Sequence, residues 1–110
     1  MENERTLHEV CDAVGVTRRA VQGYEKYGLV AASGKNKMGH LLYHRDTIAK
    51  IEEIRQFQKR GFTLKEIAEL ETVNSEQKKD MLQQKLTILK QNYSRMERTI
   101  AVIQQMIKEL

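Results

Sequence analysis

The sequence predicts a mainly α-helical protein, with a small N-terminal head followed by one long C-terminal helix. Proline is absent, and three of the six glycines, at positions 15, 28 and 61, fall where a helical pattern breaks off. Two capping-box sequences mark helix starts within the first 72 residues. From Leu82 to Leu110, apolar residues recur at alternating intervals of four and three. A chain of 110 residues is long enough for one modest domain and an extended element.

The first helix of the head is predicted over residues 7–14. At its start, the Thr6 hydroxyl can accept from the backbone N–H of Glu9 while the Glu9 carboxylate accepts from that of Thr6. Gly15 can then take the left-handed conformation that ends a helix. The apolar side chains fall on one face: Leu7, Val10, Cys11 and Val14.

A second helix is predicted to begin at Arg18, with Thr17 as its N-cap, and to end near Gly28. Val21 and Tyr24 provide its apolar face. Two short helices joined by a tight glycine turn form the helix-turn-helix pattern. This pattern also occurs in helical proteins with no affinity for DNA, so by itself it leaves the function open.

Residues 31–43 are predicted to form a small β-wing. Gly34 and Gly39 lie on either side of Asn36 and two lysines, which suits a loop or hairpin better than a helix.

Two further helices are predicted to close the core of the head. One covers residues 45–60 and ends at Gly61, and the other follows a second capping box at residues 63–66. Their apolar side chains are Ile48, Ile51, Ile54, Phe57, Leu64, Ile67, Ala68 and Leu70.

The C-terminal segment has the clearest periodicity in the chain. Its heptad seam, at about 1.5 Å per residue, predicts a helix roughly 50 Å long. Most of this seam would face water in a monomer, and the head has too little surface to cover it if the helix folded back. We therefore expect a coiled-coil homodimer, although too few charges flank the seam to set the strand orientation. The predicted dimerisation residues are Leu82, Leu86, Leu89, Tyr93, Met96, Ile100, Ile103, Ile107 and Leu110.

The predicted domains are a head at residues 1–72 and a dimerisation helix at residues 75–110. The N-terminus has no apolar signal segment, and no apolar run approaches the ~18 residues of a membrane helix. The single cysteine, Cys11, cannot form an intrachain disulfide and suits a buried structural position. We expect a soluble cytoplasmic protein with no metal and no other cofactor.

A cluster of positive charge points to a nucleic-acid partner. Residues 17–45 hold six basic side chains and one acid, against 19 and 15 in the whole chain. The guanidinium groups of Arg18 and Arg19 can bridge guanine O6 and N7 in a major groove, while wing lysines and tyrosine hydroxyls contact phosphates. A solvated basic face is the alternative. The predicted DNA-binding residues are Thr17, Arg18, Arg19, Gln22, Tyr24, Tyr27, Lys35, Lys37, His40 and Tyr43.

These motifs resemble the N-terminal half of the MerR family of bacterial transcription regulators. Residues 7–30 resemble its helix-turn-helix, with Gly-Val-Thr at residues 15–17 and Tyr-Glu-Lys-Tyr-Gly-Leu at residues 24–29. Residues 39–43 match the end of its wing, and Arg-Gly-Phe-Thr-Leu-Lys-Glu-Ile at residues 60–67 resembles its junction between the third and fourth helices.

The resemblance implies a winged helix-turn-helix head and a homodimer joined by an antiparallel coiled coil. Such a dimer would place two recognition helices in successive major grooves of a pseudopalindromic promoter site in double-stranded DNA. Members of the family typically bend and untwist promoters whose spacer is too long, which makes RNA polymerase a further partner. The resemblance covers the head and the dimerisation helix without an effector domain, which fits either a naturally short member of the family or a truncated chain.

Two departures from the family pattern affect DNA contacts. Gln22 and Gly23 stand where the family usually has Arg-Tyr, and His40 and Leu41 stand where it has Tyr-Arg. We expect weaker affinity or an altered site preference, since both changes remove groups that hold the backbone of DNA. Gly23 also costs about 1 kcal/mol of helix propensity relative to alanine. Its presence suggests either that another part of the backbone approaches closely there or that the protein tolerates a weaker helix.

Other classes of function stay open or are disfavoured. A protein-interaction module, or a dominant-negative partner that binds DNA weakly, fits the same departures. The long dimerisation helix argues against an architectural DNA protein of the excisionase type. No nucleophile-base pair, phosphate-binding glycine loop or metal triad is recognisable, which argues against an enzyme. His8, His40 and His44 lack metal-ligand spacing and suit surface or cap positions.

Overall fold

The computed structural model describes residues 4–110 and confirms the mainly helical architecture. Within these residues the helices are α1 (Leu7–Val14), α2 (Arg18–Lys26), α3 (Arg45–Lys59), α4 (Leu64–Thr72) and α5 (Ser75–Lys108). The strands are β1 (Arg5–Thr6), β2 (Gly34–Lys35) and β3 (Leu41–Tyr43). Each predicted helix begins within one residue of its expected start. For α1, α2 and α4 the reason is that their N-cap threonines could be recognised in the sequence.

The predicted wing is present, and it belongs to a small sheet with an additional strand. The strand order is β1-β3-β2, with both pairs antiparallel. Arg5 pairs with Tyr43, and Gly34 pairs with Leu42. The sequence did not predict β1, because two residues are too few to show the alternation of a strand. This strand joins the start of α1 directly to the wing.

The predicted caps of the head helices are confirmed. The Thr6 backbone N–H donates to Glu9 Oε1 at 2.9 Å, and this bond lowers the pKa of the Glu9 carboxyl. Gly15, at φ 79°, ends α1 in the left-handed conformation. The same reciprocal cap joins Thr63 and Glu66 at the start of α4.

A single apolar cluster forms the core of the head. Val10, Val21, Tyr43 and Ile51 are fully buried at its centre. Cys11 is partly buried and packs against the cluster. The other members are Leu7, Val16, Tyr24, Leu29, Val30, Ile54 and Ile67, and no buried polar or charged residue is found among the described part of the chain.

Contacts between Cα atoms divide the chain into two compact units, one ending at Thr72 and one covering Val73–Leu110. The second unit is essentially α5, a helix of 34 residues that begins at an Asn74 capping box. None of the residues of α5 is buried. Apart from the terminal Leu110, the side chains of the seam expose between 39% of their surface, at Leu82, and 65%, at Ile107. Over the described residues, no helix has both the length and the apolarity that a membrane crossing requires.

Candidate nucleic-acid interface

The first turn of α2 presents two exposed arginines from a well-defined start. Thr17 Oγ1 accepts a hydrogen bond from the Ala20 backbone N–H at 3.0 Å, which sets where the helix begins. Arg18 and Arg19 follow at once and are both exposed. On the opposite face Val21 is fully buried, so the core determines which side of α2 faces outward.

Helical geometry separates the polar residues of α2 into an outward stripe and two flanks. At about 100° per residue, the side chains of Arg19, Gln22 and Lys26 fall in one line opposite the buried face. All three are exposed. Lys26 was not among the predicted DNA-binding residues, although its spacing from Arg19 was visible in the sequence. We define Arg19, Gln22 and Lys26 as the outward stripe.

Arg18 and Glu25 share one flank of α2, because residues seven apart fall on nearly the same side of a helix. This flank is the one nearest the wing, since the Glu25 carboxylate accepts a hydrogen bond from the Tyr43 hydroxyl on β3. The one acid of the basic segment is therefore turned towards the wing and away from the outward stripe.

The structure contradicts the prediction that the hydroxyls of Tyr24 and Tyr43 contact phosphates. Tyr24 exposes 1% of its surface and Tyr43 exposes none. The Tyr24 hydroxyl donates to Gln58 Oε1 of α3 at 2.8 Å, and the Tyr43 hydroxyl donates to Glu25. Both rings complete the core, and their hydroxyls hold α2 against its neighbours. For Tyr24 the sequence held a signal of this burial, since the helical spacing also placed it on the apolar face of the second helix.

The remaining predicted side chains are all exposed, and their contact with DNA stays a prediction. Tyr27 exposes 48% of its surface at the end of α2. The others are Thr17, Arg18, Arg19, Gln22, Lys35, Lys37 and His40.

The tip of the wing is held in shape by Asn36. Its side-chain oxygen accepts from the backbone N–H groups of Met38 at 2.9 Å and of His40 at 3.0 Å. Gly39, at φ 81°, allows the turn to close. Lys35 and Lys37 on either side are exposed, so the wing presents two cations on a defined turn.

The three histidines lie at the surface, and one of them caps a helix. His44 caps α3 by accepting from the Asp46 backbone N–H at 3.4 Å. His8 lies 3.3 Å from Asp12 on the surface of α1. Among the described residues, no group of three or more potential metal ligands comes together.

Gly23 occupies the other flank of α2, and replacing it with alanine is expected to stabilise the protein. A Cβ atom there would meet Leu64 Cδ1 at 3.5 Å, an ordinary van der Waals contact, so no close backbone approach requires glycine. We expect Gly23→Ala to raise the free energy of unfolding, measured by urea denaturation, by about 0.5–1 kcal/mol. Gly15→Ala is the control and should lower it, because alanine is strained at φ 79°. A decrease for Gly23→Ala would show that α2 and α4 need the space.

Comparison with protein families identifies the head. A model described as MerR HTH family regulatory protein matches residues 5–72. The chain is similar to nodulation protein NolA of Bradyrhizobium elkanii, with 41% identity over 61 residues, which are 56% of this chain and 28% of NolA. The chain thus spans less than a third of the length of that relative.

Comparison with solved structures extends the likeness along nearly the whole chain. A MerR-family transcriptional regulator from Bacillus cereus matches with a TM-score of 0.74 and 25% identity, over 96% of this chain and 81% of that one. HiNmlR, a MerR-family regulator lacking the sensor domain and bound to promoter DNA, has the same fold, with a TM-score of 0.67 and 14% identity over 94% of this chain and 87% of that one.

Proposed function

Since this chain belongs to the MerR family of helix-turn-helix regulatory proteins, we propose that it is a homodimer that recognises a specific promoter sequence and distorts it. The proposal rests mainly on the outward stripe of α2, a line of exposed polar side chains opposite a buried apolar face. A helix with these properties suits insertion into the major groove of DNA.

In the proposed complex, the outward stripe contacts base edges. Arg19 lies in the first turn of α2, where recognition helices make base contacts. Its guanidinium can donate to both O6 and N7 of a guanine. Gln22, one turn further, can donate to and accept from an adenine. Lys35 and Lys37 on the wing contact phosphates, which set the register of the head without selecting sequence.

Two internal hydrogen bonds support accurate placement of these groups. The Tyr24 hydroxyl joins α2 to Gln58 of α3, and the Tyr43 hydroxyl joins β3 to Glu25 of α2. The recognition helix is thereby attached both to α3 and to the wing. Base contacts from α2 and phosphate contacts from the wing are then offered at a constant separation, which lowers the entropy lost on binding.

The exposed seam of α5 supports the homodimer. Leu86, Leu89 and Ile100 expose 43%, 39% and 51% of their surfaces, and an apolar stripe of this length is stable in water only when a second helix covers it. A symmetric pair binds two half-sites related by a dyad, so the preferred site is a pseudopalindrome. When the dimer sets the separation of its heads, DNA of another spacing must bend or untwist to fit, which is the proposed distortion.

The test is selection of binding sites from randomised duplex DNA at two salt concentrations. We expect a pseudopalindromic site to be recovered. Arg19→Ala should then lose about 1–3 kcal/mol of binding free energy for each half-site, with a much smaller loss for random duplex. Lys35→Ala is the matched control, and should weaken binding to both duplexes by the same factor. Recovery of salt-sensitive binding without sequence preference would contradict the proposal and favour the protein-interaction module.

A further inference from the structure

A cleft in the head lies between the start of α1, the start of α2 and the end of the wing. Its volume is about 290 Å³, well above the ~10–15 Å³ that a cavity needs to hold one water molecule. Thr6 and His8 line it from the side of α1, Arg18 from α2, and His40 from the wing. Three elements that are distant in the sequence therefore surround one space large enough for a phosphate group.

The lining of this cleft suits an anion. Besides Leu7, Gly39 and Leu41, it is lined by Arg18, His8, His40 and Thr6, whose side chains can all donate hydrogen bonds. The lining residues include no carboxylate. Asp12 contacts the His8 imidazole at 3.3 Å but is not part of the lining. A guanidinium group and imidazole N–H groups around a common space can all donate to phosphate oxygens.

The position of Arg18 on its helix distinguishes it from Arg19. Arg18 shares the wing flank of α2 with Glu25, whose carboxylate is bound to Tyr43 of β3. Arg19 lies about 100° away, on the outward stripe. Two adjacent arginines of the same recognition helix thus face different surroundings.

We propose that this cleft binds one phosphate of the DNA backbone, with Arg18 as its main ligand and His8 and His40 as supporting donors. This inference rests on the proposed function and changes one part of the sequence-based prediction. Arg18 holds the DNA backbone, and base recognition is left to Arg19 and the rest of the outward stripe. A phosphate bound between α1, α2 and the wing sets the depth at which α2 enters the groove.

The first test compares Arg18→Ala with Arg19→Ala, a matched change one residue away, by fluorescence anisotropy over a series of salt concentrations. Arg18→Ala is expected to weaken binding to the selected site and to random duplex by the same factor, about tenfold for each protomer of the dimer. Because a dimer carries two copies of Arg18, the slope of log K against log salt should fall by about 1.8, which is about 0.9 for each of the two lost phosphate contacts. A loss confined to the selected site would show that Arg18 contacts bases, and would overturn the proposal.

The second test locates the phosphate. Each phosphate of the duplex is replaced in turn by an uncharged methylphosphonate, and the affinity of the full chain is measured. One position in each half-site should weaken the wild type but have no further effect on Arg18→Ala, with the response also reduced in His8→Ala and His40→Ala. Additive effects of Arg18→Ala and methylphosphonate at every position would overturn the proposal.

A backbone contact needs no specific site, so it can be measured on random duplex even if the protein proves to recognise no specific sequence. If neither duplex binds, the proposed function fails, and the assignment of the cleft to a DNA phosphate fails with it. The cleft itself is then tested with inorganic phosphate at millimolar concentration. Shifts of the His8 and His40 imidazole NMR signals in the wild type, and their absence in Arg18→Ala, would show an anion site for a free phosphate. No shift in the wild type would exclude the anion site altogether.

Discussion

The double substitution Leu89→Asp and Ile100→Asp is expected to convert the protein into a monomer and to abolish tight binding to a pseudopalindromic site. In the proposed dimer both side chains are buried in the heptad seam, where an unpaired carboxylate is strongly unfavourable. A monomer binds each half-site independently, so we expect the affinity for the full site to fall by about 100-fold or more. Sedimentation equilibrium measures the mass, and fluorescence anisotropy measures DNA affinity.

A matched control introduces the same charges on the other side of α5. Gln84 and Gln91 are exposed and lie nearly opposite the seam, so Gln84→Asp with Gln91→Asp should leave the dimer intact. The double substitution in the seam should also reduce helix content by circular dichroism, because α5 has no buried residue and a lone helix is marginal in water. A dimer that persists with Leu89 and Ile100 replaced would show that another surface joins the two copies.

The second large effect is expected at alkaline pH, where the protein should lose stability as Tyr43 is forced to ionise. Burial, the hydrogen bond to the Glu25 carboxylate and the charge of that carboxylate raise the pKa of Tyr43 far above its ordinary value of 10. Burial likewise raises the pKa of Tyr24. A pKa that is higher in the folded state contributes stability that is complete below pH 10 and declines as pH rises above it.

Tyr43→Phe separates this effect from general alkaline denaturation. At neutral pH the variant should unfold more easily by about 1–3 kcal/mol, because Glu25 loses its partner. Above pH 10 its free energy of unfolding should fall less steeply than that of the wild type, since the raised pKa is gone. Tyr27→Phe, at an exposed position, should match the wild type throughout. Urea denaturation between pH 7 and pH 11 measures all three, and parallel curves for Tyr43→Phe and the wild type would contradict the assignment.

The two tyrosines also show where residue type was misleading. A tyrosine in a basic segment was predicted to contact phosphate, and the exposed Tyr27 still fits that prediction. Tyr24 and Tyr43 carry the same hydroxyl, but each donates it within the head, to Gln58 and to Glu25. Composition cannot separate these roles, because burial depends on which elements pack against each ring.

The sequence by itself determined the elements that depend on neighbouring residues. The Thr6 and Thr63 caps and the end of α1 at Gly15 could all be predicted, because a cap forms between residues only a few positions apart. The seam of α5 could be predicted for the same reason, since its repeat lies along one helix. The basic segment followed from charge counting alone.

Only the tertiary structure decided which residues far apart in the chain meet. It added β1 to the wing, placed the Tyr43 hydroxyl on Glu25 and brought His8, Arg18 and His40 to one cleft. It also placed the adjacent Arg18 and Arg19 in different surroundings. These outcomes depend on packing between elements brought together by burial of the shared core. Hydrophobic burial is non-directional and leaves no short-range pattern in the sequence to show which partners will meet.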